Sequence, residues 1–330
     1  MTGLPRAVVV VAFHRPDHRL ARRLIGSLLS QSGVEVGVVA VLDGEATRGD
    51  RALAALLDDR RIVVVGSEAA LGVRGAFAHG LQRALALNLD ERTCFAYADQ
   101  DDDWHPDKLA RCLARLRDTS ARLVHCDARV TDEAGQEIAP RLHAFEERQN
   151  ADTLLEALLL NAVSGMTALF DQATARLTCR LMDGLDSELL HDHVTAVAAA
   201  SLGPVVFLPE VLVDYVQHGG NTLGAKALLH RPWYRRAMTA RDLVTYRRTS
   251  RGIFEERRPL ARALRKEGLL PRDLAHMFLV GEPPPSLPHL VLRYWMAMLR
   301  LFLHGQSRRG FLCFRAMDGA WQRRRGIGLS

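Results

Sequence analysis

Disulfide and zinc chemistry have little to work with in this chain. Its five cysteines (Cys94, Cys112, Cys126, Cys179 and Cys313) are scattered through 330 residues, odd in number and without a C-x-x-C pair. That spacing excludes a disulfide framework and a cysteine-rich zinc site, and it points to a reducing compartment. The apolar run in "MTGLPRAVVVVAFHRPD" is too short for the core of a secretory leader followed by a small-residue cleavage site. It reads as a strand, and the protein is expected in the cytoplasm. Internal repeats and low-complexity tracts are lacking. So is a clean run of about 20 apolar residues, even near the C-terminus, which argues against a spanning helix.

The composition is ordinary: 48% apolar and 25% charged residues, enough for a sizeable core. The net charge of +6 comes mainly from arginine. Such an excess suits an anionic partner (phosphate groups, anionic lipid or nucleic acid) without choosing among them.

Hydrophobic patterning gives the architecture. Ala7–Phe13 is a continuous β-branched run, as in a strand buried on both faces. Pro16 and Asp17 then open a helix with Leu20, Leu24 and Leu28 on one stripe. Strands are expected at Val34–Leu42, Ile62–Val65 and Cys94–Ala98, separated by helices at Arg51–Leu57 and Gly75–Leu87. Strands alternating with helices imply right-handed crossovers and a mostly parallel α/β sheet. Pro106 and Asp107 start a further helix, Leu123–Cys126 is a strand, and "TDEAGQE" (Thr131–Glu137) is a hairpin turn. The remaining expectations are helices near Thr153–Leu160 and Ser187–Leu202, and strands near Met166–Phe170, Val205–Leu208 and Val211–Val216. From about Lys226 the chain turns helical and arginine-rich, broken by "GEPPPSLP" at Gly281–Pro288. The expected organisation is a catalytic domain over 1–225 and a helical extension over 226–330.

The stretch "YADQDDDWHPDKL" (Tyr97–Leu109) places Asp99, Asp101, Asp102 and Asp103 within five residues, directly behind an apolar strand. In an open α/β sheet, ligands bind outside the carboxyl ends of the strands. Asp43 stands at another such end. Hard carboxylate oxygens suit Mg²⁺ or Mn²⁺, which takes one or two carboxylates together with substrate phosphate oxygens. A divalent cation and a diphosphate in one site would offset the repulsion. Asp103 and Asp107 read instead as solvated, helix-capping carboxylates, Trp104 as core, Arg74 as a surface arginine, and His79 and His125 as structural histidines.

Five segments in order resemble family-2-type glycosyltransferases of the GT-A fold, in particular the rhamnosyltransferase-like branch. "ADQDDDWHPDKL" is similar to D-Q-D-D-x-W-x-P-x-K-L, and "VVVVAFHRPDHRLARRLIGSLLSQ" to the opening strand and helix. "VAVLDGEAT" resembles V-V-D-D-G-S-T, "NAVSGMTALF" the mid-chain N-x-x-x-G-x-T-x-L-F, and the segment from "HDHVTAV" to "QHGGNTLGA" the H-D-x-W … Q-H-x-x-N-x-x-G pattern. The resemblance covers about residues 7 to 225.

It implies a metal-dependent, inverting transfer of a sugar from a nucleoside-diphosphate sugar, with dTDP-rhamnose as the branch's donor. The acceptor would be a hydroxyl on a glycan, a lipid-linked carrier or a small molecule. Asp99 is implied at the ribose and, with Asp101, at the Mg²⁺ or Mn²⁺ bridging the diphosphate, with Asp102 assisting. Asp43 is implied at the base or ribose, Asp192 as catalytic base, His218 and Asn221 near the diphosphate, and Gly165 beside the acceptor. Three positions depart from the pattern: Leu42 replaces the first Asp of D-D-G, Ala12–Phe13–His14 replaces T-Y-N, and Val194 stands where Trp is frequent.

Other classes fit less well. A sugar-1-phosphate nucleotidyltransferase would carry a glycine-rich loop after the first strand, and "AFHRPDHRL" has no glycine. A catalytically degenerate scaffold or nucleotide-binding module is the alternative that Leu42 and Ala12 allow. Nucleic-acid binding has no motif behind it. The apolar, arginine-flanked segment over 287–326 reads as a helix packed on the catalytic domain, or as one lying in a membrane interface with Arg308, Arg309 and Arg323–Arg325 meeting anionic lipid.

Overall fold

The protein is described by a computed structural model covering residues 4, 6–87, 89–146, 148, 150–151, 153–159, 161–218 and 255–279. Strand β1 (Arg6–Phe13) runs through the centre of the sheet. Its valines Val8–Val11 are buried because β2 (Glu35–Asp43) and β4 (Cys94–Ala98) pair with it in parallel on either side. The outermost strand here is β3 (Ile62–Ser67), parallel to β2.

Helix α1 (His18–Leu29) begins where the Asp17 side chain accepts the backbone N–H groups of Arg19 and Leu20, closing two otherwise unsatisfied donors. Its stripe of Leu20, Leu24 and Leu28 is buried, at about 1.5–3 kcal/mol for each leucine. Two short helices, α2 (Glu45–Arg48) and α3 (Arg51–Leu56), precede β3, and α4 (Gly72–Leu85) follows it. Gly80 lets α4 sit against the sheet: a Cβ there would lie 2.4 Å from Val10 Cγ1 and 2.8 Å from Val41 Cγ2.

Beyond β4 the chain passes through β5 (Asp103–Trp104), α5 (Lys108–Asp118), β6 (Leu123–Asp132), β7 (Glu137–Ala139) and the short helices α6 (Leu142–Phe145) and α7 (Leu154–Leu159). A 3-10 turn (Gly165–Thr167) leads into β8 (Ala168–Phe170), then α8 (Gln172–Met182), α9 (His191–Leu202) and β9 (Val205–Gln217). The nine-stranded sheet has the order β3-β2-β1-β4-β8-β6-β9-β5, with β7 paired to β6. Its long ladders are parallel; the short ones, made by β5, β7 and β8, are antiparallel.

The expected strands and helices from Ala7 to Leu116 appear within a few residues of their sequence positions. Differences arise downstream. The two strands expected at Val205–Leu208 and Val211–Val216 are one strand, whose register against β6 jumps from Leu208 to Val211. Pro209 has no N–H to give a ladder, so the chain bulges there and resumes. Helix α9 starts at His191 rather than Ser187. The sequence expectations do not include α8, which Asp171 caps by accepting the Thr174 N–H at 2.8 Å.

Contacts divide the described residues into two compact units. The larger contains the sheet. The smaller consists of residues 153–159, 184–189 and 255–279, including helices α10 (residues 255–266) and α11 (Arg272–Phe278). In it, Leu260, Ala261 and Leu264 are fully buried, and Ser187 Oγ donates to the Glu256 carbonyl at 3.1 Å. Among the described residues no helix is long and apolar enough to cross a membrane. Asn221, Cys313 and the 287–326 segment lie outside the described residues.

Candidate active site

The parallel strands β1, β2 and β4 deliver their carboxyl ends to one edge of the sheet. Asp43 is the last residue of β2 and Asp99 follows β4 directly. Asp43 is buried, and its carboxylate accepts the Leu71 N–H at 2.6 Å. The end of β1 ties these two corners together. The His14 N–H donates to Gln100 Oε1 at 2.9 Å, Gln100 Nε2 donates back to the His14 carbonyl at 3.4 Å, and His14 Nδ1 lies 3.2 Å from the Asp43 carbonyl. Arg15 follows with φ of 47°, an uncommon left-handed backbone for a side-chain-bearing residue, held by its N–H to Thr47 Oγ1 at 3.2 Å.

The acidic loop turns inward. Asp99 is half-buried, while Asp101 and Asp102 are buried. Burial, then the charges of Asp101 and Asp192, push the Asp99 carboxyl up to about 7. Asp101 Oδ2 is 2.6 Å from Nε2 of His218, just past the end of β9. Asp102 is fully enclosed, and neither carboxylate oxygen has a full hydrogen bond. Burial and the charges of Asp99 and Asp101 hold it well above the usual carboxylate range, against weaker opposite effects from Lys108 and the Val216 N–H.

Asp192 enters from the first turn of α9. Its Oδ1 accepts the His193 N–H at 2.6 Å. Burial raises its carboxyl to about 6, partly offset by the Arg148 charge, the His193 N–H, the Asn161 side chain and the Gly165 N–H. Arg148 is itself paired with Glu146 at 2.7 Å. His191 is buried, stacked on Phe77 (3.8 Å between centroids, 15° between planes) and edge-on to Tyr97 at 4.7 Å. Burial holds its imidazole down at about 3. Gly165 makes room for this ring: a Cβ there would come 2.7 Å from His191 Nε2.

Beneath the loop lies Lys108, the first residue of α5, with no exposed surface. Its Nζ sits 2.9 Å from the Trp104 ring centroid and has no hydrogen-bond partner. Burial pushes the ammonium down to about 8. A desolvated cation over an aromatic face gains about 2 kcal/mol. Enclosing an ion costs several kcal/mol. The ring alone does not offset that cost.

The structure thus gathers Asp99, Asp101, Asp102, Asp192 and His218 around one site, links Asp43 to it through His14 and Gln100, and puts Gly165 behind Asp192. Asp103 and Asp107 differ from simple caps. Asp103 is half-buried in β5, 3.7 Å from Arg23, and Asp107 occupies the N-cap position of α5 without a side-chain cap bond, pairing with Arg111 Nε at 2.6 Å. Trp104 is core, and His125 is buried with its imidazole held down at about 3 by burial. Sequence reading missed Gln100, Lys108, Arg148 and Asn161. Gln100 and Lys108 stand inside the quoted acidic motif and Asn161 opens "NAVSGMT", so those three carried a positional signal; Arg148 carried none.

The donor set suits a divalent cation. Carboxylate oxygens are the ligands that Mg²⁺ and Mn²⁺ prefer, Asp99 and Asp101 supply them from one loop, and the His218 ring stands 2.6 Å from Asp101. Among the described residues no three His, Cys, Asp or Glu side chains form a ready-made cation cage. Two protein ligands suffice for such an ion, because water and phosphate oxygens complete its shell.

Comparison with known proteins follows the same line. The family model described as glycosyl transferase family 2 matches residues 7–175, just over half of the chain. The crystal structure of S. aureus TarS 1–349 in complex with UDP-GlcNAc is similar with a TM-score of 0.50 at 13% identity, covering 97% of this chain and 92% of that one. The S. aureus TarS structure without that boundary gives 0.50 at 14% identity, covering 96% of this chain and 55% of that one. At such identity the likeness establishes the fold, which is GT-A. No curated protein matches the chain. With the family match extending from the central strand β1 through the acidic loop, the chain belongs to glycosyl transferase family 2 and is a nucleotide-sugar-dependent glycosyltransferase.

Proposed function

We propose that this protein is a metal-dependent, inverting glycosyltransferase in which the acidic loop holds the donor diphosphate and Asp192 activates the acceptor. The observation that carries the reading is the meeting of the acidic loop with the far end of β9, where Asp101 Oδ2 lies 2.6 Å from His218 Nε2 across 117 residues of sequence.

In this reading Asp192 takes the proton of the acceptor hydroxyl as its oxygen attacks the anomeric carbon. The bond from that carbon to the diphosphate breaks, and its electron pair leaves with the nucleoside diphosphate. Attack from the face opposite the leaving group inverts the anomeric configuration. Asp101 and Asp99, with His218 beside Asp101, are the residues that would hold Mg²⁺ or Mn²⁺; when bound, the ion neutralises the leaving diphosphate as a Lewis acid. Asp43 and the His14–Gln100 clamp bound the nucleoside corner, and Asp102 supports the loop from behind. Gly165 and the Asn161 side chain fix the setting of Asp192 near the acceptor. His218 and Asn221 together would face the diphosphate.

Branch resemblance makes dTDP-rhamnose one donor, and the UDP-GlcNAc held by the TarS structure makes a UDP-sugar the other. A glycan, lipid-linked or small-molecule hydroxyl in envelope or polysaccharide synthesis is the acceptor class, with the catalytic work done by residues 1–225 at the cytoplasmic side of a membrane. The test is isothermal titration with UDP-, dTDP- and GDP-sugars, with and without Mn²⁺, on the wild type and Asp101→Asn. Metal-dependent binding of one nucleotide class, lost in the variant, is expected, and the product anomer read by NMR is expected to be inverted. Absence of nucleotide binding under every condition overturns the donor site and favours a degenerate scaffold.

A further inference from the structure

We infer that the open edge of the sheet is a docking surface for a second copy of this chain: β3 pairs antiparallel with β3 of the partner about a two-fold axis at Val64. The inference goes beyond the donor reading and does not depend on it.

Strand β3 is apolar without being buried. Ile62–Val65 is an unbroken β-branched run, the pattern of a strand covered on both faces, yet none of these residues is fully buried and Val64 is 45% exposed. Among the described residues β3 ends the sheet, with β2 on one side only. Edge strands are normally blunted by a bulge, a proline or a charged residue. Here the ladder to β2 runs without a break from Ile62 to Ser67, and the strand carries neither proline nor charge.

The backbone shows what this edge offers. Val38 donates its N–H to the Arg61 carbonyl at 2.8 Å, so Arg61, Val63 and Val65 turn their backbone polar groups toward β2. The alternate residues Ile62, Val64 and Gly66 turn theirs outward. The Asp59 carbonyl takes the Ile62 N–H at 2.9 Å, which leaves the N–H groups of Val64 and Gly66 for a further strand.

A second copy fits because the edge complements itself. With the axis at Val64, each Val64 exchanges both backbone bonds with Val64 of the partner subunit. Ile62 then lies across from Gly66, and Arg60 across from Glu68. Opposed residues of an antiparallel pair share a face, so the two exposed valines meet and each arginine faces a carboxylate. Arg60 is exposed, and the Glu68 side chain is 92% exposed with Arg48 at 3.6 Å as its neighbour. Neighbouring registers lose this match. An axis at Val63 sets Glu68 against Asp58, and one at Val65 sets Arg60 against Ala70. The two-fold also turns the carboxyl ends of the two sheets in opposite directions, so pairing leaves turnover per chain unchanged.

Sedimentation equilibrium of the full chain over a concentration series tests the inference. A reversible monomer–dimer exchange is expected, because one short edge lies at the small end of specific interfaces. Val64→Lys sets two ammonium groups against each other at the axis and is expected to leave monomer only. Arg60→Glu is expected to weaken pairing about tenfold, and adding Glu68→Arg to recover it. In Val64→Cys the two Cα atoms lie ~5.5 Å apart, within disulfide range, so mild oxidation links the subunits. Val63→Cys, opposed by Val65 in this register, is expected to give no link. Monomer at every concentration overturns the inference, as does a dimer that Val64→Lys leaves intact. Monomer whose Val64 and Gly66 amides resist hydrogen exchange means that a segment of the same chain covers the edge, which also overturns it. Should Val64→Lys fail to fold, recovery by the exchanged charges and the Val64→Cys link support the inference, and absence of either overturns it.

Discussion

His218 Nε2 and Asp101 Oδ2 lie 2.6 Å apart, although 117 residues separate them in sequence. The contact joins the end of β9 to the acidic loop after β4, so two remote motifs meet at one corner. If His218 helps hold the donor's metal, His218→Ala weakens UDP–Mn²⁺ binding by about 10–100-fold, the usual range for lost metal-site support. Isothermal titration measures this, and an unchanged affinity would remove His218 from the site.

Asp192 must be ionised to act as a base, and burial raises its carboxyl to about 6. Turnover is therefore expected to rise with pH through an acidic limb centred near 6. Asp192→Asn should lower turnover by about 10²–10⁴-fold while leaving nucleotide binding near wild type. A rate profile flat from pH 5 to 8 would count against this base.

The same shift has a stability consequence. Asp192 and Asp99 bind a proton more tightly folded than unfolded, with carboxyls raised to about 6 and about 7 from the ordinary aspartate value of 3.8. Their contribution is fully present below about pH 4 and is lost as pH rises through the folded values. In the absence of metal and nucleotide, Asp99→Asn is therefore expected to flatten the fall in thermal midpoint between pH 5 and pH 8, read by a melting series.

Gly165 tests packing behind the base. Its missing Cβ is the space in which His191 Nε2 sits, at 2.7 Å from where that atom would be. Gly165→Ala is expected to cost about 1–3 kcal/mol by overpacking and to reduce turnover by displacing Asp192. Adding His191→Ala should relieve the clash, so the double variant melts higher than the sum of the two single losses allows.

Gln100 tests the nucleoside corner. Its side chain makes the two bonds with His14 that tie β1 to the loop after β4. Gln100→Ala removes them at a stability cost of only about 1 kcal/mol, because His14 is exposed to water. The expected outcome is a near-normal melt with weaker donor binding. A normal Kd would show that the corner holds its shape without the clamp.

What the sequence determined by itself was everything written in local pattern. The valine run of β1, the Leu20–Leu24–Leu28 stripe and the strand before Asp99 announce themselves, because burial on a regular element imposes a period that neighbouring residues reveal. The order of the motif segments similarly made the α/β class and the candidate carboxylates legible. Merging of the two final strands across Pro209 was not, since pairing with β6 extends through a bulge that local composition reads as a break. Nor was α8, a helix that follows a short buried strand with only Asp171 to mark its start.

The tertiary structure alone decided what each carboxylate of the acidic loop faces. Asp99, Asp101 and Asp102 are equivalent in the sequence, yet one shares a charge field with Asp192, one meets His218, and one is sealed inside near Lys108. Protonation and ligand access depend on burial and on charges that arrive from β9, α9 and α5, and residue spacing encodes none of these.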